Sequence, residues 1–403
     1  MTIGIIGGGA SGMAAAIFAA RSGAEVILFE RQARVGRKLL ATGNGRCNLT
    51  NIHACEGGYH GDDPSFADAA IQSFSPEETL SWFAQLGLLT VTEGSGRVYP
   101  YSDQANSVVD VLRFALQQEN IHLKTGFEVE KVKKTGAGFS VCSRQEQICC
   151  DQVIIACGGL AGTALGGSMS GYKLLRAFGH SITRLRPTLV QVKSSWPALP
   201  GLKGVRCNCN ASLLRDQEVV ASSCGELQFT QYGLSGPVIF EISRDACQGK
   251  GDWVCRLDFL PQLHVQEVID LLKQRRNTPL AAEDLLTGIL HNRLGRVLVQ
   301  AADIRLQSPT ASISDGQLDA LANLIKSFDV TLTDTMGMDH AQVTAGGACT
   351  AEFDPVTMES NLVPGLFACG EVLDIDGDCG GFNLQWAWSS GRAAGLAAGR
   401  GGV

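Results

Sequence analysis

The sequence predicts an α/β fold interrupted by an insert that is first β-rich and then mainly helical. Three observations predict it. The apolar strand Thr2-Ile3-Gly4-Ile5-Ile6 runs into Gly7-Gly8-Gly9-Ala10-Ser11-Gly12 and then into an alanine-rich helix from Met13 to Arg21. From about Arg186 the texture changes, with prolines at 187, 197 and 200 and an alternating stretch from Val205 to Phe229. After about residue 340 the chain returns to glycine-rich strand and loop, ending in a helix. The expected boundaries are 1–185 with 340–403 for the nucleotide-fold part, 186–260 for the β-rich insert and 261–339 for the helical one.

The first thirty residues justify the nucleotide part. Glycine in G-x-G-x-x-G has a separate reason at each place: Gly7 permits the tight turn, Gly9 lets a pyrophosphate approach the backbone, and Gly12 lets the helix pack closely on the strand. The free N–H groups at the helix start, at Ala10, Ser11 and Gly12, favour phosphate. A second strand, Glu25 to Phe29, ends on Glu30, at the spacing of the acid that accepts hydrogen bonds from an adenosine ribose. Its charge repels a 2′-phosphate, which favours FAD or NAD over NADP at this place.

The next stretch, Arg31 to Asn51, is too polar and glycine-rich for a regular element and reads as a loop, the place where ligands bind at the end of a parallel sheet. Lys38 and Arg46 can offset phosphate charge there, and glycines such as Gly45 let the backbone approach a flat ring. Ser75-Pro76-Glu77-Glu78 is a helix start with cap, proline and acidic first turn, leading into Thr79 to Leu86. A further helix is expected from about Ala105 to Gln118. Phe127 to Lys133, Gly138 to Ser143 and Gln147 to Cys150 alternate like a small antiparallel meander, and Val153 to Ala156 is a buried strand ending in Cys157-Gly158-Gly159.

Within the insert, Gly233-Leu234-Ser235-Gly236-Pro237 reads as a tight loop, and Val265 to Gln274, Ala281 to Leu290, Arg293 to Ala302 and Gln317 to Ser327 have helical periodicity between prolines. Beyond it, Gly370-Glu371 and Gly380-Gly381-Phe382 precede a helix from about Asn383-Leu384-Gln385 to Ala398. Reduced flavin carries negative charge around N1 and O2, so a helix start behind two glycines favours the reduced cofactor.

Composition narrows the class. The chain of 403 residues is 45% hydrophobic and 18% charged with a net charge of −7, an ordinary globular balance. It has no apolar run of the roughly twenty residues a membrane span needs, and no leader pattern precedes the first strand, so no membrane partner is expected and the cytoplasm is the expected compartment. The 14 cysteines lack any C-x-x-C and the seven histidines lack ligand spacing, so they read as small buried hydrophobes with no metal.

With both ends in hand, the chain resembles the aminoacetone oxidase (BaiN-like) family of FAD-binding flavoproteins. The resemblance is carried by Gly7 to Gly12 with Glu30; Gly36-Arg37-Lys38 with Thr42 to Asn48; Arg97 to Asp103; Gln228-Phe229-Thr230 leading to Gly233 to Pro237; and Gly370-Glu371 through Gly380-Gly381-Phe382-Asn383-Leu384-Gln385-Trp386-Ala387-Trp388-Ser389-Ser390-Gly391. It implies a Rossmann-like FAD domain of the two-dinucleotide-binding type, made from both chain ends, with a β-barrel-like subdomain and a helical one inserted. It also implies that FAD is held by Gly7, Gly9, Ala10, Ser11, Gly12, Glu30, Arg31, Lys38, Gly45, Arg46, Cys47, Val129, Cys157, Gly158, Gly159, Gly370, Glu371, Gly381, Asn383, Leu384 and Gln385. Cys157 stands where the family often has threonine.

Three enzymatic functions are open at this level, beside a non-catalytic flavin-binding or structural protein whose bound FAD is not coupled to any acceptor. In the first, reduced nicotinamide, NAD(P)H, binds transiently at the flavin face, and hydride passes from flavin N5 to an electron-poor C=C bond of a 3-oxo bile acid or steroid. In the second, an aminoacetone-type amine loses hydride to FAD and oxygen reoxidises the flavin with release of peroxide. The third is reduction of uridine in ribosomal RNA. For that one, the net charge opposes a polyanion, but Ser181 to Asp216 carries Arg184, Arg186, Lys193, Lys203, Arg206 and Arg215 against only Asp216. Candidate catalytic residues are Arg46, to stabilise developing negative charge, Asn48, to hold the ring edge, and Tyr232, as proton donor.

Overall fold

The computed structural model describes residues 1–117 and 120–400, and the chain divides into two compact units, Met1–Pro187 with Ala341–Val403, and Thr188–His340. The first is built on a five-stranded sheet in the order Leu366–Ala368, Gln152–Ile155, Thr2–Ile6, Glu25–Glu30 and Ile121–Thr125. Every neighbouring pair runs parallel, with Ile5 opposite both Leu28 and Ile154. Central strands of a parallel sheet are covered by other elements on both faces, which is why Thr2–Ile6 and Gln152–Ile155 read as unbroken apolar runs. Ile121–Thr125 lacks that signal: as an edge strand with His122 and Leu123 exposed, it is not visible in the periodicity.

The two helices that flank the cofactor motifs pack against one another. Ala10–Arg21 is buried through ten consecutive residues, Ser11 to Ala20, and has hardly a polar face. The C-terminal helix, Phe382–Arg400, lies along it, and glycines set the distance. A Cβ on Gly391 would stand 2.5 Å from the Ser11 carbonyl oxygen, and one on Gly395 2.4 Å from that of Ala15. The contacts advance in step, Ser11 with Gly391 and Ala15 with Gly395, so the helices are parallel.

The helix Pro76–Gln85 starts with a capping box: Ser75 Oγ accepts from the Glu78 N–H and Glu78 accepts from the Ser75 N–H. Ala105–Ala115 forms the next helix; Gln118, the end expected from the sequence, lies outside the described residues. The meander is present as Lys131–Thr135, Gly138–Cys142 and Gln147–Cys150, its first strand starting later than Phe127.

The second unit contains a seven-stranded sheet in the order Phe328–Thr331, Trp253–Asp258, Arg206–Arg215, Glu218–Phe229, Gly233–Ser235, Val192–Lys193 and Asp334–Thr335, each neighbouring pair antiparallel. Helices Val265–Arg276, Asn292–Ala301 and Asp315–Lys326 share one apolar core with it, joining Leu213, Phe229 and Leu257 to Leu272, Leu298 and Leu321. Two expectations change. Gly233–Ser235 is a strand, because Leu234 pairs with both Phe229 and Val192. Ala281 to Leu290 forms only the short turn Ala282–Asp284, its periodic leucines being inserted in the core by a loop that turns at Gly288. Among the described residues no helix is long and apolar enough to cross a membrane.

Replacing Gly395 by valine puts branched carbon where the Ala15 carbonyl already stands. The expected cost is about 1–3 kcal/mol, seen as a lower thermal unfolding midpoint, whereas an exposed substitution such as Gly316→Ala leaves the midpoint near the wild-type value.

Candidate active site

The helix Ala10–Arg21 begins after Gly9 without a side-chain cap, its first internal bond being Met13 N–H to Gly9 O at 2.9 Å. The three motif glycines divide their work. A Cβ on Gly12 would lie 1.8 Å from the Gly7 oxygen, and one on Gly7, at φ +111°, 2.3 Å from the Ala156 oxygen, so these two serve close packing and the turn. A Cβ on Gly9 would meet nothing within 4 Å, which leaves the backbone open on the side a pyrophosphate would approach.

Glu30 closes this end. Its carboxylate accepts from the N–H groups of Gly8 and Gln32, both at 2.7 Å, and an ionised carboxylate has further lone pairs for ribose hydroxyls. Arg31 donates to the Gly166 oxygen at 2.5 Å, and Phe127 N–H donates to Glu30 O at 3.0 Å, which ties the segment carrying the buried Val129 to the second strand. Across the sheet, Gly158 is left-handed and open, and Gly159 fits closely beside Glu371. Cys157 donates to the Ile6 oxygen, and burial pushes its thiol up to about 12.

Several predicted contacts have protein partners of their own. Lys38 and Glu371 pair with each other at 2.8 Å, and Glu371 also accepts from Thr344 N–H. Arg46 donates to Glu93 and Asp103, which raise its pKa, and it lies 3.9 Å over the Tyr99 ring, so its charge is already offset by two carboxylates and a π face. Tyr232 belongs to the Thr188–His340 unit, where its hydroxyl donates to Gln191 Oε1.

The loop carrying Arg46 is tightly coiled: Gly43, Asn44, Gly45 and Cys47 all adopt left-handed backbone. Cys47 is fully buried and its thiol is pushed up to about 12 by that burial, so it stays protonated at neutral pH. Asn48 beside it is 9% exposed, and its Oδ1 is buried with no partner among the described residues. A buried amide oxygen without a partner costs free energy, and a donor on a bound ligand would satisfy it.

The same loop docks on the start of the C-terminal helix. Trp388 donates to the Leu49 oxygen at 2.9 Å, and Thr50 Oγ1 donates to Gln385 Oε1 at 2.6 Å. Gln385 is fully buried, its amide donating also to Phe74 O, Thr79 Oγ1 and Ser389 Oγ, so its side chain ties elements together. Asn383 likewise holds the preceding turn, accepting from Gly377 N–H and donating to Gly377 O. These side chains fix where the helix begins; Gly381, at φ +111°, lies against the Thr50 backbone, and Leu384 is half-buried beside it. Since Gly391 faces Ser11, the helix start at Phe382 stands about 13 Å further along the shared axis at ~1.5 Å per residue. Two parallel helix starts so staggered, open glycines at 9 and 158, and the orphaned Asn48 oxygen fit an elongated dinucleotide such as FAD.

One arrangement was not legible in the sequence. The short strand Tyr59–His60 pairs antiparallel with Asp376–Gly377, and His60 Nε2 lies 2.7 Å from Asp378 Oδ1. Both side chains are half-exposed, while Tyr59 is buried with its ring edge-on to Phe382, the first residue of the C-terminal helix. The partners are 318 residues apart, so no local pattern announces them.

Two measurements check the site. Glu30→Ala removes a charged acceptor worth about 1.5–3 kcal/mol, so FAD affinity, read by fluorescence titration of the apoprotein, falls about 10- to 100-fold. Iodoacetamide labelling between pH 7 and 9 leaves Cys47 unmodified in the native protein, while the exposed Cys149 and Cys224 react.

The family model for the HI0933-like protein Rossmann domain matches residues 1–397. A 3-dehydro-bile acid delta(4,6)-reductase of Clostridium scindens is 42% identical over 98% of this chain and 98% of its own. The ribosomal RNA dihydrouridine synthase of Escherichia coli is 31% identical over 96% of this chain and 95% of its own. Among solved structures, the 3-ketosteroid delta1-dehydrogenase of Sterolibacterium denitrificans has the same fold, with a TM-score of 0.53 at 12% identity over 99% of both chains. The chain belongs to the HI0933-like family of the Rossmann fold, and with it to the FAD-dependent oxidoreductases.

Proposed function

We propose that the protein reduces a C=C bond conjugated to a 3-oxo group in a bile acid or related steroid, with NAD(P)H as the source of hydride. The observation that carries this reading is the 42% identity to the bile-acid reductase, which runs the whole length of both chains and so includes the insert as well as the cofactor end. Bound FAD would accept hydride from the nicotinamide and deliver it from N5 to the alkene carbon remote from the carbonyl.

The chain's own residues would hold and tune that ring. Gly9 with the first turn of Ala10–Arg21 binds the diphosphate, Glu30 orients the ribose, and Asn48 supplies an acceptor at the ring edge. The start of Phe382–Arg400 favours negative charge on the reduced ring. The chain has one G-x-G-x-x-G, so the nicotinamide would share the flavin face with the substrate and leave before it enters.

A second reading, reduction of uridine in ribosomal RNA, is favoured by the relatives of that name in Escherichia coli and Haemophilus influenzae, at 31% and 30% identity. The basic stretch that would support it is partly neutralised: Lys193 pairs with Asp334, Arg206 with Glu226 and Arg215 with Asp216. Each of these ion pairs removes a cation available to phosphate.

The test is anaerobic. NADH or NADPH is expected to bleach the bound flavin, and a 3-oxo-4,6-diene bile acid to restore its colour within seconds. Restoration only by ribosomal RNA would select the second reading; bleaching by aminoacetone with peroxide release in air would select an amine oxidase.

A further inference from the structure

Adding hydride to an enone leaves a second requirement, a proton for the carbon next to the carbonyl. We propose that His60, oriented by Asp378, delivers that proton; this rests on the enone-reductase reading. The two residues reach each other because Tyr59–His60 pairs with Asp376–Gly377, which places the imidazole Nε2 2.7 Å from Asp378 Oδ1. Alternation along the strand turns Tyr59 inward, against Phe382, and His60 outward, so the imidazole is accessible while its strand is fixed.

Position in the unit supports the same assignment. Phe382 opens the C-terminal helix, whose start the FAD reading puts beside the flavin ring, and Gly58, Tyr59 and Gly377 pack around it. Asp378 N–H also donates to the Gly58 oxygen at 2.9 Å, so the carboxylate and the imidazole are held on one short ladder. Imidazole suits the role because its ring nitrogens can both give a proton and regain one from water. Tyr232, by contrast, has its hydroxyl engaged with Gln191 in the inserted unit.

The step balances. Bound FAD, reduced by NAD(P)H, would supply the hydride that forms the C–H bond at the β-carbon. The alkene π pair moves to give an enolate on the α-carbon and the 3-oxo oxygen. The proton passes from the His60 imidazolium to the α-carbon, the carbonyl re-forms, and solvent returns a proton to the neutral ring. Asp378 is a positioning residue: it holds the ring's orientation and compensates its charge.

Other ionisable groups near the pair are Asp376, directly opposite His60, and Asp374, whose carboxyl burial raises its pKa and which accepts from Asp62 N–H. Among the described residues, Asp62, Tyr59 and Cys55 belong to the same surroundings, and burial raises the pKa of both Tyr59 and Cys55.

The experiment compares wild type with His60→Gln, Asp378→Asn and Asp378→Glu as FAD-loaded proteins. FAD affinity by fluorescence and bleaching by NAD(P)H are expected to be unchanged in all four. Reoxidation by a 3-oxo-4-ene steroid is expected to slow about 100-fold in His60→Gln and to lose the wild type's decline at high pH. Asp378→Asn shifts that pH profile, and Asp378→Glu restores it.

Reoxidation by His60→Gln within about tenfold of wild type, with the pH profile intact, overturns the proposal. Should His60→Gln fail to hold FAD, the profile of Asp378→Asn decides, and an unshifted one overturns it. A wild type whose reduced flavin no enone reoxidises brings down the enone reading and this proposal together, and that control separates the two failures.

Discussion

The glycine seam between the first and last helices is the contact on which the site depends. Gly391 and Gly395 bring the C-terminal helix against the carbonyls of Ser11 and Ala15, closer than any side chain permits. Parallel helices at such short range gain dispersion contacts along their length but set their dipoles side by side, an arrangement that packing has to outweigh. The seam thereby aligns two electropositive helix starts along one direction, staggered by about 13 Å at ~1.5 Å per residue. A flexible connection between the chain ends would not keep that spacing.

Around this seam, the polar side chains of the motifs have two kinds of role. Gln385, Asn383, Trp388 and Thr50 direct their hydrogen bonds to each other and to nearby backbone, and so place the loop Thr42–Asn48 and the helix start. At Gly9 and Gly158 the backbone is open, and Asn48 Oδ1 has no partner among the described residues. The division has a physical basis, since a buried polar group is tolerated when it is paired and an unpaired one is tolerated where a ligand completes it. Charges follow the same rule: Arg46 and Lys38 sit beside carboxylates.

The enzyme's two hypothesised transfers, hydride and proton, call on different parts of the chain. Hydride chemistry belongs to the cofactor, which the proposed reading sets between the two chain ends. The proton belongs to a side chain, and the half-exposed His60–Asp378 pair lies on a two-residue ladder at the edge of the same unit. Such a short ladder has little stability of its own and is held in place by Gly58, Tyr59 and Phe382 packing together.

By itself the sequence determined the parallel-sheet start, the Ser75 capping box, the meander and the glycine-rich cofactor motifs. Each of these is a local pattern whose physics acts within a few residues. Only the tertiary structure decided that Ile121–Thr125 is a sheet edge, that Ala281 to Leu290 feeds a core without forming a helix, that Lys38 faces Glu371 and that His60 meets Asp378. In each of these the deciding neighbour is far along the chain, 333 residues for Lys38 and 318 for His60, and the free energy of such a contact leaves no periodicity to read.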